Sequence, residues 1–389
     1  MIRAKIESIL TKRRCTLLGI GPMSKNCVDA TIELANQFDV LLMLVASRRQ
    51  IDSDAFGGGY VNSWNTRGYA DYVRERDSKG KVLLARDHGG PWQNEYEKQQ
   101  LLGLYNAMKS AKESFQEDID AGFQVLHIDP SVDIHGVTNR DEVLERVFEL
   151  YDFCWNYAQR RGREVIFEIG TEEQSGGTNT QEELEHTLDR ITEFCDRNSL
   201  PRPTFVVIQT GTRVMEMRNV GTFDTPLRVM GELPAEIQVP KMIEICNTHG
   251  IFMKEHNADY LSDEALQWHP RLGIHSANVA PEFGVTETKA FVALLEVNGL
   301  QSLADTFLEI AYSSHKWSKW MSEESLATDR DRALIAGHYI FATPEYKDIK
   351  VKAVEMLASK GVDLDLALKE AIKAAIYRYL VPFRLVNYV

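Results

Sequence analysis

The sequence places an acid and a histidine directly after a short apolar run. Residues 82–85 read Val-Leu-Leu-Ala, and Asp87, His88, Gly89 and Gly90 follow almost at once. Such a run with turn residues behind it is typical of a parallel-sheet strand, whose carboxyl end carries the chemistry in α/β folds. A carboxylate beside an imidazole can supply a proton acceptor and a metal ligand, and the two glycines would let a ligand approach the backbone. The alternative is an ordinary turn in which Asp87 caps the next helix.

Polar side chains follow other apolar runs in the same way. If these runs are parallel strands, their carboxyl ends carry Ser47, Arg48 and Arg49, Asp87 and His88, Asp129, Glu168 and Glu172, Gln209 and Thr210, Glu255, His256, Asn257 and Asp259, and His275 and Asn278. Two histidines on separate strands, together with carboxylates, suit a divalent cation of the zinc, manganese or cobalt kind. The cation would polarise a carbonyl while a carboxylate moves a proton, which predicts sugar aldol or epimerase chemistry.

Two further features of the sequence, a histidine within a strand and a triple glycine, do not by themselves identify a functional site. His127 lies two residues before Asp129 on the same strand face, and a site residue and a satisfied core histidine are equally compatible with that position. The triple glycine at residues 57–59 is not followed by the Gly-Lys-Ser/Thr of a phosphate-binding loop. No nucleotide cofactor is indicated.

Eight apolar runs alternate with helical patterns along most of the chain. They lie at residues 15–24, 39–46, 82–85, 123–131, 164–177, 204–212, 250–260 and 271–284. This alternation predicts a (β/α)8 TIM barrel with an N-terminal helix over residues 1–300, with a doubly wound two-domain sheet as the alternative. Residues 301–389 show helical patterns only, which predicts a C-terminal helical extension packed on the barrel.

Net charge, the length of apolar runs and the spacing of cysteines indicate which partners and which location to expect. The 389 residues carry a formal net charge of −13, which disfavours nucleic acid and anionic membranes as partners. No apolar run approaches the ~20 residues of a membrane span. The five cysteines are scattered and form no Cys-x-x-Cys pair, so a reducing cytoplasm is the expected location.

Several motifs, taken in chain order, resemble one known family. They are SRRQIDSDAFGGGY (47–60), ARDHGGPW (85–92), HIDPS (127–131), EIGTEEQSGG (168–177), KEHNADYLSDEAL (254–266) and DRDRALIAGHYI (329–340) with a following ATPEY. Together they are similar to the tagatose-bisphosphate aldolase accessory-subunit (Z-type) family, a relative of the class II ketose-bisphosphate aldolases. The resemblance spans nearly the whole chain and implies a barrel with a divalent-metal site and a sugar or sugar-phosphate ligand.

The resemblance also implies roles for individual residues. Asp87 resembles the strand-three acid that shuttles protons in class II aldolases, and Glu172 resembles their loop acid or base. His88 and His256 resemble metal-binding histidines, and Glu168 occupies a position that can also ligate the metal. Zinc is the first expectation for the metal, with manganese or cobalt as alternatives.

The sequence departs from the class II pattern at two places. Where those enzymes have a further histidine after strand six, this chain has Gln209 and Thr210, so that either His275 or Gln209 could replace the missing ligand. The phosphate-binding loop after strand seven is replaced by NADY (257–260). The residues expected to bind substrate are Ser47, Arg48, Arg49, Gln209, Asn257, Asp259 and Asn278.

Two functions remain open at this point. The first is a metal-dependent enzyme, a lyase or epimerase that acts on a ketose or ketose phosphate by aldol cleavage or by retro-aldol or enediolate epimerisation. The second is a non-catalytic subunit that stabilises a separate tagatose-bisphosphate-type aldolase. The apparent set of ligands, acid and base favours the enzyme, while the missing histidine and phosphate loop favour the subunit. Self-association into a homo-oligomer is compatible with either function.

Overall fold

A computed structural model of the chain describes residues 1–171, 180–224 and 234–387. Within these ranges, eight parallel strands form one sheet: β1 (Leu17–Ile20), β2 (Leu42–Ser47), β3 (Val82–Gly89), β4 (Val125–Ile128), β5 (Ile166–Ile169), β6 (Phe205–Val207), β9 (Phe252–Glu255) and β10 (Ser276–Val279). The sheet closes into a barrel in the order β1-β2-β3-β4-β5-β6-β9-β10. A small antiparallel hairpin, β7 (Val214–Met215) and β8 (Arg218–Asn219), follows β6. The predicted (β/α)8 barrel is confirmed.

Helices alternate with the strands and continue beyond the barrel. They are α1 (Ile2–Lys12), α2 (Lys25–Phe38), α3 (Thr66–Arg76), α4 (Glu95–Gln99), α5 (Leu104–Ala121), α6 (Arg140–Arg161), α7 (Gln181–Arg197), α8 (Ala235–Thr248), α9 (Asp263–Leu272), α10 (Pro281–Val297), α11 (Gln301–Ser313), α12 (Asp329–Ala336), α13 (Pro344–Ala358) and α14 (Leu364–Leu380). Local sequence fixes several of their ends. For example, α6 begins with a capping box between Asn139 and Glu142 and ends at Gly162, which adopts the left-handed conformation.

The strands are short and almost entirely buried, which explains their unbroken apolar sequences. Their side chains form the main core, and Ile372, Ile376 and Tyr379 of α14 belong to the same core. A second apolar core lies among α10, α11, α12 and α13. The last helix therefore anchors the C-terminal helices to the barrel, and the domain boundary at residue 300 stays a prediction.

Two expectations from composition can be compared with this fold. The five cysteines are all buried free thiols. None of the helices formed by the described residues has the length and apolar character needed to cross a bilayer.

Candidate metal centre

Three histidines from different strands meet at the carboxyl end of the barrel. His88 is the second-last residue of β3, His127 lies in β4 and His256 follows β9. One ring nitrogen from each lies within 4.8 Å of the others, and the ring centroids are 5.0–5.2 Å apart. Three converging imidazoles are a donor set suited to a divalent cation of the zinc kind.

An irregularity in β3 allows two consecutive residues to face this site. Side chains alternate along a strand, so Arg86 points outward, where it forms a two-pronged ion pair with Asp118 of α5 at 2.8 and 2.6 Å. Asp87 then points inward, and His88 would be expected to point outward. The register against β4 shifts between Arg86 and Gly89, and His88 has a φ of +45°. This bulge turns the His88 side chain to the same end of the barrel as Asp87.

A neighbouring carboxylate fixes the orientation of His88. The Nδ1 atom of His88 lies 2.5 Å from Asp129 Oδ2, and Nε2 lies 3.8 Å from Asp87 Oδ2. Burial acts to lower the pKa of His88, but Asp87 and Asp129 outweigh it and raise the pKa to about 9. A carboxylate on one imidazole nitrogen is the usual way in which a metal-binding histidine is held.

Gly90 was expected to let a ligand approach the backbone, but it serves the packing of two strands. A Cβ at this position would lie 2.3 Å from the Asp129 carbonyl oxygen. The glycine allows β3 and the end of β4 to approach each other.

His127 belongs to the site, and the residue pattern alone did not decide this. Its Nδ1 lies 3.6 Å from Asp87 Oδ1 and 3.7 Å from Glu168 Oε1. Its Nε2 is buried and has no hydrogen-bond partner among the described residues. A Cβ on Gly170 would lie 2.4 Å from Nε2, so the glycine after β5 makes room for the ring. The sequence feature that could have identified His127 is strand alternation, because it puts His127 on the same strand face as Asp129.

Lys254 is a second residue of the site that the sequence pattern did not predict. Lys254 is 1% exposed, and its Nζ lies 2.6 Å from Glu168 Oε2. The other carboxylate oxygen of Glu168 lies 3.0 Å from His256 Nε2. Burial acts to raise the pKa of Glu168, but Lys254 and the histidines outweigh it and lower the pKa to about 2. Glu168 therefore lies beside the histidines as an ionised carboxylate whose charge Lys254 balances.

Asp87 occupies the middle of the group. Its Oδ1 lies 3.9 Å from His256 Nε2 and 3.5 Å from Asn278 Nδ2. Burial acts to raise the pKa of Asp87, but His88, His256 and His127 outweigh it and hold the pKa well below its usual range. The carboxyl group is therefore ionised at neutral pH, as a proton acceptor must be.

The structure does not bring His275 to this group, contrary to the prediction. The residue precedes β10 and lies at the amino end of that strand, where its Nδ1 is 3.1 Å from the Met253 backbone nitrogen. Its ring packs 4.9 Å from that of Phe252, and burial lowers its pKa to about 4. The site end of β10 carries Asn278 instead.

Two residues predicted to bind substrate have structural roles. Arg48 has a fully buried side chain that pairs with Asp52 at 2.9 Å and Glu97 at 2.5 Å. Asp259 Oδ1 accepts hydrogen bonds at 2.9 Å from two backbone N–H groups at the start of α10. Burial, followed by the charge of Glu282, raises the pKa of Asp259 to about 7. Both side chains are engaged inside the protein, so the prediction is corrected for each.

A cavity of about 700 Å³ opens above the site. Its lining includes Asp87 and His88 together with the predicted residues Ser47, Arg49 and Asn257. Gln209 is 9% exposed and Asn278 6% exposed, so both are buried near the strand ends. Glu172 lies outside the described residues.

Part of the chain matches a known protein family. Residues 6–199 match a family described as D-tagatose-1,6-bisphosphate aldolase subunit GatZ/KbaZ-like. A comparison with curated proteins gave no match.

Solved structures resemble the chain over nearly its whole length. A probable tagatose 6 phosphate kinase from Sinorhizobium meliloti 1021 has 17% identity and a TM-score of 0.75, with 95% of this chain and 100% of that chain covered. The fructuronate-tagaturonate epimerase UxaE from Cohnella laeviribosi has 12% identity and a TM-score of 0.60, with coverage of 97% and 82%. Fructose-bisphosphate aldolase from Campylobacter jejuni has 12% identity and a TM-score of 0.56, with coverage of 99% and 94%. At these identities the likeness concerns the fold.

Proposed function

Because the chain belongs, through residues 6–199, to the D-tagatose-1,6-bisphosphate aldolase subunit GatZ/KbaZ-like family, we propose that it is a metal-dependent carbohydrate enzyme. The proposed reaction is aldol cleavage or epimerisation of a ketose or ketose phosphate. The observation that carries the proposal is the convergence of His88, His127 and His256 around Asp87.

The donor set fits a divalent cation, with zinc first and manganese or cobalt as alternatives. His88, His127 and His256 would hold it, and Glu168 is the nearby carboxylate. The fit rests on donor chemistry and on the pairing of His88 Nδ1 with Asp129, which directs the other ring nitrogen towards the centre. A bound cation of this kind polarises a carbonyl oxygen.

The protein's own residues supply proton transfer and positioning. Asp87 accepts the proton from the substrate carbon beside the carbonyl, and Asn278 lies within 3.5 Å of it and holds its orientation. Glu172, four residues after Glu168 in the sequence, is proposed as the second acid or base. Ser47, Arg49 and Asn257 line the cavity and are proposed to bind the polar groups of the sugar.

Metal titration tests the centre directly. Removal of one imidazole from a three-histidine set should lower zinc affinity by about one to several orders of magnitude. We therefore expect His127→Ala and His256→Ala to weaken zinc, manganese and cobalt binding in calorimetric titrations of the chelator-treated protein. His275→Ala is the matched control, because it removes a partly buried imidazole at the amino end of β10, away from the histidine cluster. Wild-type affinity in both site variants would contradict the proposal.

The second candidate is a non-catalytic subunit of an aldolase complex, which is favoured by the word "subunit" in the family description. It predicts no turnover of any ketose by the isolated chain and a gain in activity when a separate aldolase polypeptide is added. Asp87→Asn should then stimulate that aldolase as well as the wild type does. If the isolated chain converts a ketose and Asp87→Asn does not, the protein is itself a catalyst and a purely non-catalytic subunit function is excluded.

A further inference from the structure

The cavity above the histidines is also lined by cationic side chains. One wall comes from the segment between α11 and α12, which contributes Lys316 and Lys319. Arg49, from the loop after β2, contributes a third cation. This concentration of positive charge occurs in a chain whose formal net charge is −13. A local cationic site against an acidic background attracts an anion selectively.

These cations lack the partners that neutralise the neighbouring Arg48. Arg48 lines the same cavity but pairs with two buried carboxylates. In the ranges that the structure describes, Arg49, Lys316 and Lys319 form no ion pair. Glu95 also lines the cavity and is the acid whose charge acts most on Lys319. Arg49, Lys316 and Lys319 outnumber Glu95 and leave positive charge that an anionic ligand can neutralise.

The charges also act on one another. The protein atoms packed around Lys319 and the neighbouring Arg49 lower the pKa of Lys319, and Lys316 acts in the same direction, although the side chain remains exposed to solvent. Like charges held together in a partly enclosed space are unfavourable until an anion joins them. Arg49 acts electrostatically on His88 as well, so its charge is close enough to affect both Lys319 and the histidine cluster.

The lysine-bearing segment is held in place by the rest of the fold. The Trp320 carbonyl accepts a hydrogen bond of 2.7 Å from the Glu216 backbone N–H in the β7–β8 hairpin. Trp320 Nε1 donates to the Tyr339 hydroxyl at 3.1 Å. Lys319 Nζ lies 4.7 Å from the Trp320 ring centroid and 5.3 Å from that of Tyr339. A site that is already ordered loses less entropy when it binds a ligand.

We propose that Arg49, Lys316 and Lys319 bind the terminal anionic group, a phosphate or a carboxylate, of a sugar whose other end reaches the histidine cluster. The inference rests on the proposed function for the sugar and deepens it to an anionic sugar. It also gives the C-terminal helical segment a role in recognition, in place of the loop after β9, which reads NADY here.

The test compares binding of anions and a neutral sugar by calorimetric titration of the full-length protein. The probes are orthophosphate, D-tagatose 6-phosphate, D-tagaturonate and D-tagatose. Lys319→Met removes the charge and keeps the length, Lys319→Arg keeps the charge, and Lys347→Met is the control because Lys347 is exposed on α13. We expect Lys319→Met to weaken anion binding by about ten- to a hundredfold. D-tagatose binding should stay unchanged, and Lys319→Arg should retain most of the anion affinity.

The outcomes separate the two possible anions and the two proposals. A loss confined to D-tagatose 6-phosphate and orthophosphate identifies a phosphate site, and a loss confined to D-tagaturonate identifies a carboxylate site. The inference is overturned if Lys319→Met and Lys347→Met bind every anion equally well. Orthophosphate titration of zinc-free protein does not depend on the metal or on turnover. A failure of the proposed function therefore leaves this test intact.

Discussion

At the scale of single residues, the protonation of Asp87 depends on the imidazoles around it. The carboxylate lies within 4 Å of ring nitrogens from His88, His127 and His256. Burial alone would favour the neutral acid, but the nearby histidines favour the charged form. The residue therefore combines a largely enclosed position with an ionised state.

Asp87→Asn isolates this proton-transfer role because it keeps the shape of the side chain and removes the base. We expect exchange of a substrate C–H proton with deuterated water to fall by about 10²–10⁴-fold. Folding should stay close to wild type, and NMR of the ketose in deuterated buffer gives the exchange rate. Asp71→Asn, at an exposed surface position, should exchange at the wild-type rate. Equal exchange by Asp87→Asn would remove Asp87 from the mechanism.

At the scale of elements, the loop after β2 contains two adjacent arginines with different tasks. Arg48 turns inward and connects this loop to α4 through Glu97 and to α5 through Ser110. Asp52 receives further hydrogen bonds from Asn94 and Ser114. Arg49 lines the cavity. The buried network holds the loop in the position that presents Arg49.

Arg48→Met should therefore act on stability. It leaves the carboxylates of Asp52 and Glu97 buried without their cation, which typically costs about 3–5 kcal/mol. Urea denaturation followed by circular dichroism measures the change in the free energy of unfolding. Arg49→Gln is the matched control and should change that free energy by less than about 0.5 kcal/mol. Similar stability of the two variants would mean that the Arg48 network contributes little.

At the scale of the whole molecule, α10 connects the barrel to the C-terminal helices. Glu287 on this helix is 2% exposed and accepts a hydrogen bond of 2.8 Å from Asn26 of α2. Burial raises the pKa of Glu287 from 4.5 to about 7. The unfolded chain thus gives up this proton at a lower pH than the folded chain does. The free energy of unfolding should therefore fall as the pH rises from about 4.5 to about 7.

Glu287→Gln should remove this cost of ionisation. We expect the variant to be more stable than the wild type at pH 8 by about 1–3 kcal/mol, with little difference at pH 4.5. Chemical denaturation of both proteins at several pH values gives the difference and cancels the titration of other groups. Glu345→Gln, at an exposed position on α13, should show no such pH dependence. If the free energies of unfolding of Glu287→Gln and wild type differ by the same amount at every pH, the pKa of Glu287 is not raised in the folded protein.

The sequence by itself determined the barrel and the end of it that carries the polar residues. Strand and helix patterns are local, so eight apolar runs with polar ends were enough to predict the fold and to select Asp87, His88 and His256. Strand alternation also put His127 on the face of the strand that carries Asp129. It could not distinguish a site histidine from a core histidine, since both occupy inward positions.

Only the tertiary structure decided which side chains meet. His275 was misplaced because Gly273 ends α9 and β10 begins at Ser276, so the histidine lies before the strand and not after it. Arg48 and Arg49 are adjacent in sequence, yet the full burial of Arg48 and the partial exposure of Arg49 follow from contacts with distant helices. Lys319 reaches the cavity from a segment beyond the barrel. Such contacts join residues far apart in the chain, and their geometry is fixed only when the whole molecule packs.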